Sequence, residues 1–216
     1  MFYDSQKRLI DIIGSLTILL ITSPIILLAA LAIRLTSSGP IIYEPLRVGR
    51  NGRLFKMLKF RSMYMYEING RTVHAKKYLE ANPKLMHQYQ INSYKLTDDP
   101  RVTWVGHILR KFSIDELPQL VNVLKGDMSL IGPRAYQQDE LAHQQRVYPK
   151  TKKYVKIILE ARPGASGPWQ VSGRSFINFD KRVIMDAKYV KRRSILYDML
   201  IILKTPIAMI TGRGAV

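Results

Sequence analysis

Two adjacent carboxylates, Asp115 and Glu116, sit in the run RKFSIDELPQLVNVLKGDMSLIGPR, which begins at Arg110 and ends at Arg134. An ionised aspartate can attack phosphorus or ligate magnesium, which prefers carboxylate and phosphate oxygens. Carboxylates at a helix N-terminus face the positive end of its dipole, and Arg110 and Lys111 lie close in sequence, so both acids should favour the charged form. Arg134, after the Gly132-Pro133 turn, could clamp a phosphate with its planar fork. Cationic surroundings also offset the repulsion between an anionic nucleophile and an anionic diphosphate. The same residues have a plainer reading. Ser113-Ile114-Asp115-Glu116 fits a capping box, and Pro118 is tolerated in a first turn if Asp115 is itself the cap.

Two further clusters carry charge. Between Arg47 and Arg61 lie Arg50, Arg53, Lys56 and Lys59, around an Asn51-Gly52 pair that signals a β-hairpin, because both central positions of its turn need positive φ. These cations could rest on anionic lipid. The segment from Ala161 to Arg174, ARPGASGPWQVSGR, could bring N–H groups and guanidinium groups around a phosphate, but lacks the spacing of a P-loop or a Rossmann turn. Trp169 within it could stack a base or anchor the loop. His74, His87, His107 and His143 have no ligand-like spacing.

The elements that must position these groups start in the membrane. Ile12 to Ile33 is 22 residues without a charge, roughly 33 Å as a straight helix, with Ser23-Pro24 at its middle. Hydropathy alone favours a spanning helix. Pro24 cannot donate to the Leu20 carbonyl and favours a kink, so a re-entrant hairpin is allowed. A cleaved signal peptide fits poorly, because the apolar run exceeds the usual ~7–15 residues. The cluster Thr36-Ser37-Ser38-Gly39-Pro40 then separates a membrane element, residues 1–35, from a remainder, residues 36–216, of single-domain size. Residues 75–92 read as helical, with Asn82 as cap and Pro83 opening a second segment. Trp104, Ile108 and Leu109 share a helical face expected in the core. A helix with apolar positions Leu117, Leu120, Val121 and Leu124 stops at Gly126. Residues 176–193 read as a basic helix, and Ile195 to Leu203 as a short buried or interfacial one ending before Lys204-Thr205-Pro206.

With 34 Lys and Arg against 16 Asp and Glu, the net charge of +18 favours anionic partners: acidic lipid, phosphorylated substrates or nucleic acid. The absence of cysteine removes disulfides and thiolate metal sites and is compatible with cytosolic exposure. A membrane-tethered nucleic-acid-binding protein is the alternative reading, resting on that charge and 12 tyrosines, yet no RNP, KH or helix-turn-helix signature accompanies them.

Five motifs in order, Lys59-Phe60-Arg61-Ser62-Met63, Asp99-Pro100-Arg101-Val102-Thr103, Ser113 to Gln119, Gly126 to Arg134, and the Arg162-Pro163-Gly164 to Arg174 segment, resemble the bacterial sugar transferase family, the monotopic phosphoglycosyl transferases. The resemblance implies a mainly α protein with a small β-hairpin, an N-terminal re-entrant helix-break-helix turning at Ser23-Pro24, and amphipathic interfacial helices. It implies residence in the bacterial inner membrane with the catalytic domain on the cytosolic face. It further implies transfer of a sugar 1-phosphate from a UDP-sugar to undecaprenyl phosphate with Mg²⁺, releasing UMP. Asp115 would be the nucleophile and form an aspartyl phosphosugar, and Glu116 would assist with metal or proton. Arg110, Arg134, Lys59, Arg61, Arg162, Gln170 and Arg174 would contact phosphate and nucleotide. The expected partners are the UDP-sugar, undecaprenyl phosphate and membrane lipid, without nucleic acid, and a homodimer is allowed. The chain departs from the family pattern at Glu44-Pro45-Leu46-Arg47 and at Gly164-Ala165-Ser166-Gly167-Pro168. Its Ala81-Asn82-Pro83 segment and Trp169 to Arg174 ending look like members that initiate exopolysaccharide or O-antigen assembly with galactose or glucose phosphate.

Overall fold

The computed structural model describes residues 2–68, 71–92, 96, 99–173 and 176–211. Its first element, α1 (Phe2–Thr36), runs unbroken through Ser23-Pro24. The expected interruption of secondary structure there does not occur, and hydroxyl groups supply a physical reason. The Ser23 hydroxyl donates to the Leu20 carbonyl that Pro24 cannot reach, at 2.8 Å, and Thr22 does the same for Ile18 at 2.7 Å.

Both ends of α1 are bolted to the rest of the chain. Near its start, Arg8 donates to the carbonyls of Val123 (2.6 Å) and Leu124 (2.7 Å) in the last turn of α5 (Gln119–Lys125). The buried Asp11 carboxylate accepts from the Ser129 hydroxyl and the Leu130 N–H, both at 2.9 Å. Near the other end, Ala29 and Ile33 pack with Phe60, Val105 and Leu109. Between these anchors Leu20, Ile21, Leu27 and Leu28 are exposed.

Among the described residues eight short strands form four two-stranded sheets, where one hairpin was expected. That hairpin is present: β2 (Leu46–Val48) pairs antiparallel with β3 (Leu54–Lys56), and Asn51 and Gly52 in its loop have φ of 57° and 77°. β1 (Ile42–Tyr43) pairs with β4 (Lys59–Phe60), and β5 (Met65–Ile68) with β6 (Arg71–His74). The fourth pair, β7 (Ser129–Ile131) and β8 (Gly164–Ser166), is parallel. A Cβ on Gly164 would collide with backbone of Gly132 and Ser166. The glycines of that segment therefore permit close backbone packing instead of forming an open phosphate loop.

The helices α2 (Ala75–Glu80) and α3 (Pro83–Ile91) fall where expected, with Pro83 opening the second. On α4 (Trp104–Lys111) the expectation fails. Leu109 is buried, but Trp104 is 72% and Ile108 42% exposed, and Phe112 extends the same apolar stripe. After α6 (Gln138–Val147), α7 (Lys152–Ile158), α8 (Pro168–Ser172) and α9 (Phe179–Arg192), the last described element is α10 (Ile195–Thr211). That last helix is 17 residues long and passes through Pro206, beyond the stop expected at Leu203. Its Leu196, Leu200, Leu203, Ile207 and Ile210 are exposed. The main core joins Leu117, Leu120 and Val123 to Met128, Ile131, Tyr189 and Ile201.

Candidate active site

Lys59 on β4 reaches across to the carboxylate pair. Its Nζ lies 2.9 Å from Asp115 Oδ2 and 3.4 Å from Glu116 Oε1. Asp115 is 3% exposed, while the Glu116 side chain is 42% exposed. Both acids occupy a 3₁₀ turn, Ile114–Glu116, that follows α4 by way of Ser113 at φ 55°. Left-handed backbone at a non-glycine residue is uncommon and costs energy, which the packing around it must supply. Ser113 makes no side-chain cap, and Pro118 holds the cap position of α5. The capping reading of Asp115 is therefore overturned: its carboxylate engages an ammonium.

The approach of α4 places this turn. Thr103 caps α4 by accepting from the Gly106 N–H at 2.8 Å, and a Cβ on Gly106 would strike the Ser62 carbonyl. At the other end of α4, Arg110 Nε donates to the Ser62 hydroxyl at 2.9 Å. Arg110, Lys59 and Ser62 thereby share the wall of a cavity of about 280 Å³, together with Arg47, Arg101 and Tyr89. Arg101 is held by Asp99 through two bonds, 2.8 and 2.6 Å, and lies 5.2 Å from the Tyr89 ring centroid. His74 stacks on Tyr43 at 3.8 Å, and burial, then Arg101, Arg61 and Arg110, push its pKa down to about 4, so it is neutral near pH 7.

The other sequence-nominated residues divide. Arg134 lies 4.0 Å from Glu140 and 5.0 Å from the Trp169 ring centroid. Burial opposes its charge, but Glu140, Tyr136 and Glu116 more than offset that and raise its pKa, so it lies within the field of Glu116. Arg61 is instead a structural pin: its buried guanidinium donates to the Ser37 carbonyl (2.9 Å), the Ser37 hydroxyl (3.0 Å) and the Ser38 carbonyl at the end of α1. Arg162 lines a separate small cleft with Asp4, Lys7 and Arg193, beside the start of α1. Gln170 is half-buried on α8, its Oε1 without a hydrogen-bond partner among the described residues. Arg174 lies outside the described residues. Sequence reasoning gave no role to the Asp99–Arg101 pair, although its i, i+2 spacing around Pro100 is a visible signal. It also treated Arg47 only as basic surface.

Trp169 is buried, with the Arg182 guanidinium also over its ring at 4.7 Å, so it anchors the fold here. Behind it the fully buried Asp186 accepts from the Arg134 N–H at 3.0 Å. Burial pushes the Asp186 carboxyl from the ordinary 3.8 up to about 7, against the pull of the Arg134 N–H, Arg182 and Arg134. Because the folded state then holds the proton more tightly than the unfolded one, stability from this group is greatest at low pH. It falls as pH rises from about 4 to about 7 and is flat above. Asparagine keeps an acceptor for the Arg134 N–H without the charge. Asp186→Asn should therefore raise Tm relative to the parent by more at pH 8 than at pH 5 in a thermal melt.

Among the described residues no group of three or more His, Cys, Asp or Glu side chains converges as a metal cage. Magnesium does not require one, since one or two carboxylates plus substrate phosphates suffice. Asp115 and Glu116 already converge on one cation, the Lys59 ammonium, and that donor set fits the ion.

The chain matches the bacterial sugar transferase family over residues 2–212. Over 97% of its length it is 39% identical to the exopolysaccharide production protein ExoY of Sinorhizobium fredii, and covers 88% of that protein. It is 44% identical to the undecaprenyl-phosphate galactose phosphotransferase of Salmonella typhimurium, of which it spans only 41%. A UDP-glucose:undecaprenyl-phosphate glucose-1-phosphate transferase of Caulobacter vibrioides is 35% identical, with 98% of this chain and 72% of that one aligned. The match takes in α1, the Lys59, Asp115 and Glu116 cluster and α10 alike, and the chain belongs to the bacterial sugar transferase family.

Proposed function

We propose that the chain transfers a hexose 1-phosphate from a UDP-sugar to undecaprenyl phosphate through a covalent intermediate on Asp115. The observation that carries this reading is the buried Asp115 carboxylate held 2.9 Å from Lys59, whose own side chain lines a cation-rich cavity, in a family whose similar members bear transferase names of this kind. An Asp115 oxygen attacks the β-phosphorus, the bond to the bridging oxygen breaks, and UMP departs with that oxygen. A phosphate oxygen of undecaprenyl phosphate then attacks the same phosphorus and frees the carboxylate. Lys59 orients Asp115 and, with Arg110, meets the negative charge that gathers on the diphosphate. Magnesium bound by Asp115 and Glu116 with substrate phosphate oxygens would supply further charge neutralisation. Relatives named for galactose and for glucose make these the first donors to test, in the opening membrane step of a polysaccharide.

The same reading places α1 as a re-entrant element. A straight spanning helix would carry its two ends to opposite faces of the bilayer, yet Arg8 and Asp11 at one end and Ile33 at the other are packed on one body. The exposed leucines and isoleucines between them, with the stripes on α4 and α10, offer one apolar surface for a single leaflet. Labels on the N-terminus and the C-terminus should both react from the cytosolic side of inverted vesicles, and labelling from opposite sides would restore a spanning helix. No observation favours the nucleic-acid alternative, and of the cations at the site Arg47, Lys59 and Arg101 pair with Glu140, with Asp115 and Glu116, and with Asp99.

The direct test is a UMP-release screen over a panel of UDP-sugars with undecaprenyl phosphate. Sustained UMP release with one hexose donor is expected, and no release with any donor would contradict the proposal.

A further inference from the structure

Two chemistries share the wall of the cavity beside Lys59. One is cationic, and its charges are unequally committed. Lys59 faces Asp115 and Glu116, Arg101 faces Asp99, and Arg47 faces Glu140. Arg110 donates through Nε to the Ser62 hydroxyl and forms no ion pair among the described residues, which leaves its charge for a bound phosphate. The other chemistry comes from α2 and α3. Leu79, Met86 and Tyr89 line the same cavity with the Gln90 carboxamide, a second carboxamide coming from Gln137 just before α6, and Met86, Tyr89 and Gln90 are spaced i, i+3 and i+4 along one face of α3.

A hexose and a pyrimidine make opposite demands on such a wall. A sugar carries hydroxyl groups around its rim, each needing a partner once it leaves water. A uracil ring has two flat faces suited to methionine and tyrosine, and one edge where an N–H lies between two carbonyl oxygens. A glutamine carboxamide presents a donor and an acceptor in one plane and can meet that edge twice.

Resting on the transferase reading, we infer that this cavity seats the uridine monophosphate half of the donor. The pyrimidine lies against Met86 and Tyr89 with Gln90 on its imide edge, the phosphate turns toward Arg110, and the sugar is left outside the cavity. Residues of this wall then set the choice of nucleotide, and the choice of hexose is made elsewhere.

Titration calorimetry of the full chain in detergent, with UMP, N3-methyl-UMP, uridine and galactose 1-phosphate as probes, tests this without turnover. UMP should bind more tightly than N3-methyl-UMP, which lacks the imide N–H. Gln90→Ala should weaken UMP by about tenfold, the scale of losing a pair of hydrogen bonds at a half-exposed site, and should remove the preference over N3-methyl-UMP. Arg110→Gln should weaken UMP and leave uridine unchanged. In turnover, Gln90→Ala should leave the UDP-galactose to UDP-glucose ratio of kcat/KM as it was. UMP affinity unmoved by both substitutions would overturn the inference, as would a loss of galactose 1-phosphate binding or a shifted hexose ratio in Gln90→Ala. If UMP binds as described but no UDP-sugar is turned over, the nucleotide subsite stands and the transferase reading falls.

Discussion

Asp115→Asn should lower UMP release by roughly 10⁴-fold or more, the scale seen when a covalent nucleophile is removed from a group that acts as a unit. A neutral carboxamide cannot form the bond to phosphorus, and nothing else at the site replaces it. Glu116 is adjacent, but its side chain is 42% exposed and its Oε1 lies farther from Lys59 than Asp115 does, 3.4 against 2.9 Å. The fold should survive, because Glu116 still pairs with Lys59 and no unpaired ammonium is left buried. Unchanged thermal unfolding and unchanged detergent extraction, beside lost UMP release, would separate a chemical role from a structural one. Substantial residual activity would refute the assignment of the nucleophile.

The largest stability effect is expected at Asp198. This carboxylate, 2% exposed, lies 3.0 Å from Lys7 Nζ and accepts hydrogen bonds from the Tyr189 hydroxyl at 2.5 Å and the Tyr3 hydroxyl at 3.0 Å. Asp198→Ala would leave a mostly buried ammonium and two phenols without their shared acceptor, a loss of about 3–5 kcal/mol for breaking a buried pair from one side. That is a large part of the ~5–15 kcal/mol that holds a typical domain. Asp11 at 3.7 Å retains only part of the Lys7 pairing. A chain that melts far lower in detergent, or no longer extracts as a folded species, is the expected outcome. Asp4→Ala makes the comparison, because Asp4 is 62% exposed and its contact with Arg193 is 3.8 Å. A surface pair of that kind contributes ~0–1 kcal/mol, so this substitution should change little.

What could be read in the sequence follows from how local each signal is. Asn51-Gly52 announced its hairpin because both residues need positive φ, a demand that does not depend on the rest of the chain. Gly126, at φ 88°, ended α5 for the same reason. The apolar run of α1 was plain in composition. Its continuity was not, because the Ser23 hydroxyl, one residue before Pro24, satisfies the Leu20 carbonyl that a proline rule treats as lost. Pro206 likewise lies inside α10, where an end was expected before it.

The site was legible as residue types and not as a place. Asp115 and Glu116 stood out as adjacent acids, yet a capping box explained them equally well until Lys59 arrived from a distant strand. The arginines show the limit most clearly. Arg61, Arg110 and Arg162 carry the same charge, and only folding decides that one meets the carbonyls at the end of α1, one the cavity and one a cleft beside Lys7. Trp104 was assigned to the core because helical periodicity identifies a face without saying whether protein or lipid covers it. In a protein held at a membrane, that distinction is absent from hydropathy.

The covalent intermediate is the centre of this account, and rapid-quench mass spectrometry tests it most directly. The protein is mixed with the UDP-sugar it turns over, without undecaprenyl phosphate, then quenched and digested. The peptide bearing Asp115 should carry a hexose phosphate, should lose it when undecaprenyl phosphate is added before the quench, and should stay unmodified in Asp115→Asn. Steady turnover of that donor with no adduct on this peptide, or with an adduct on another residue, would contradict it.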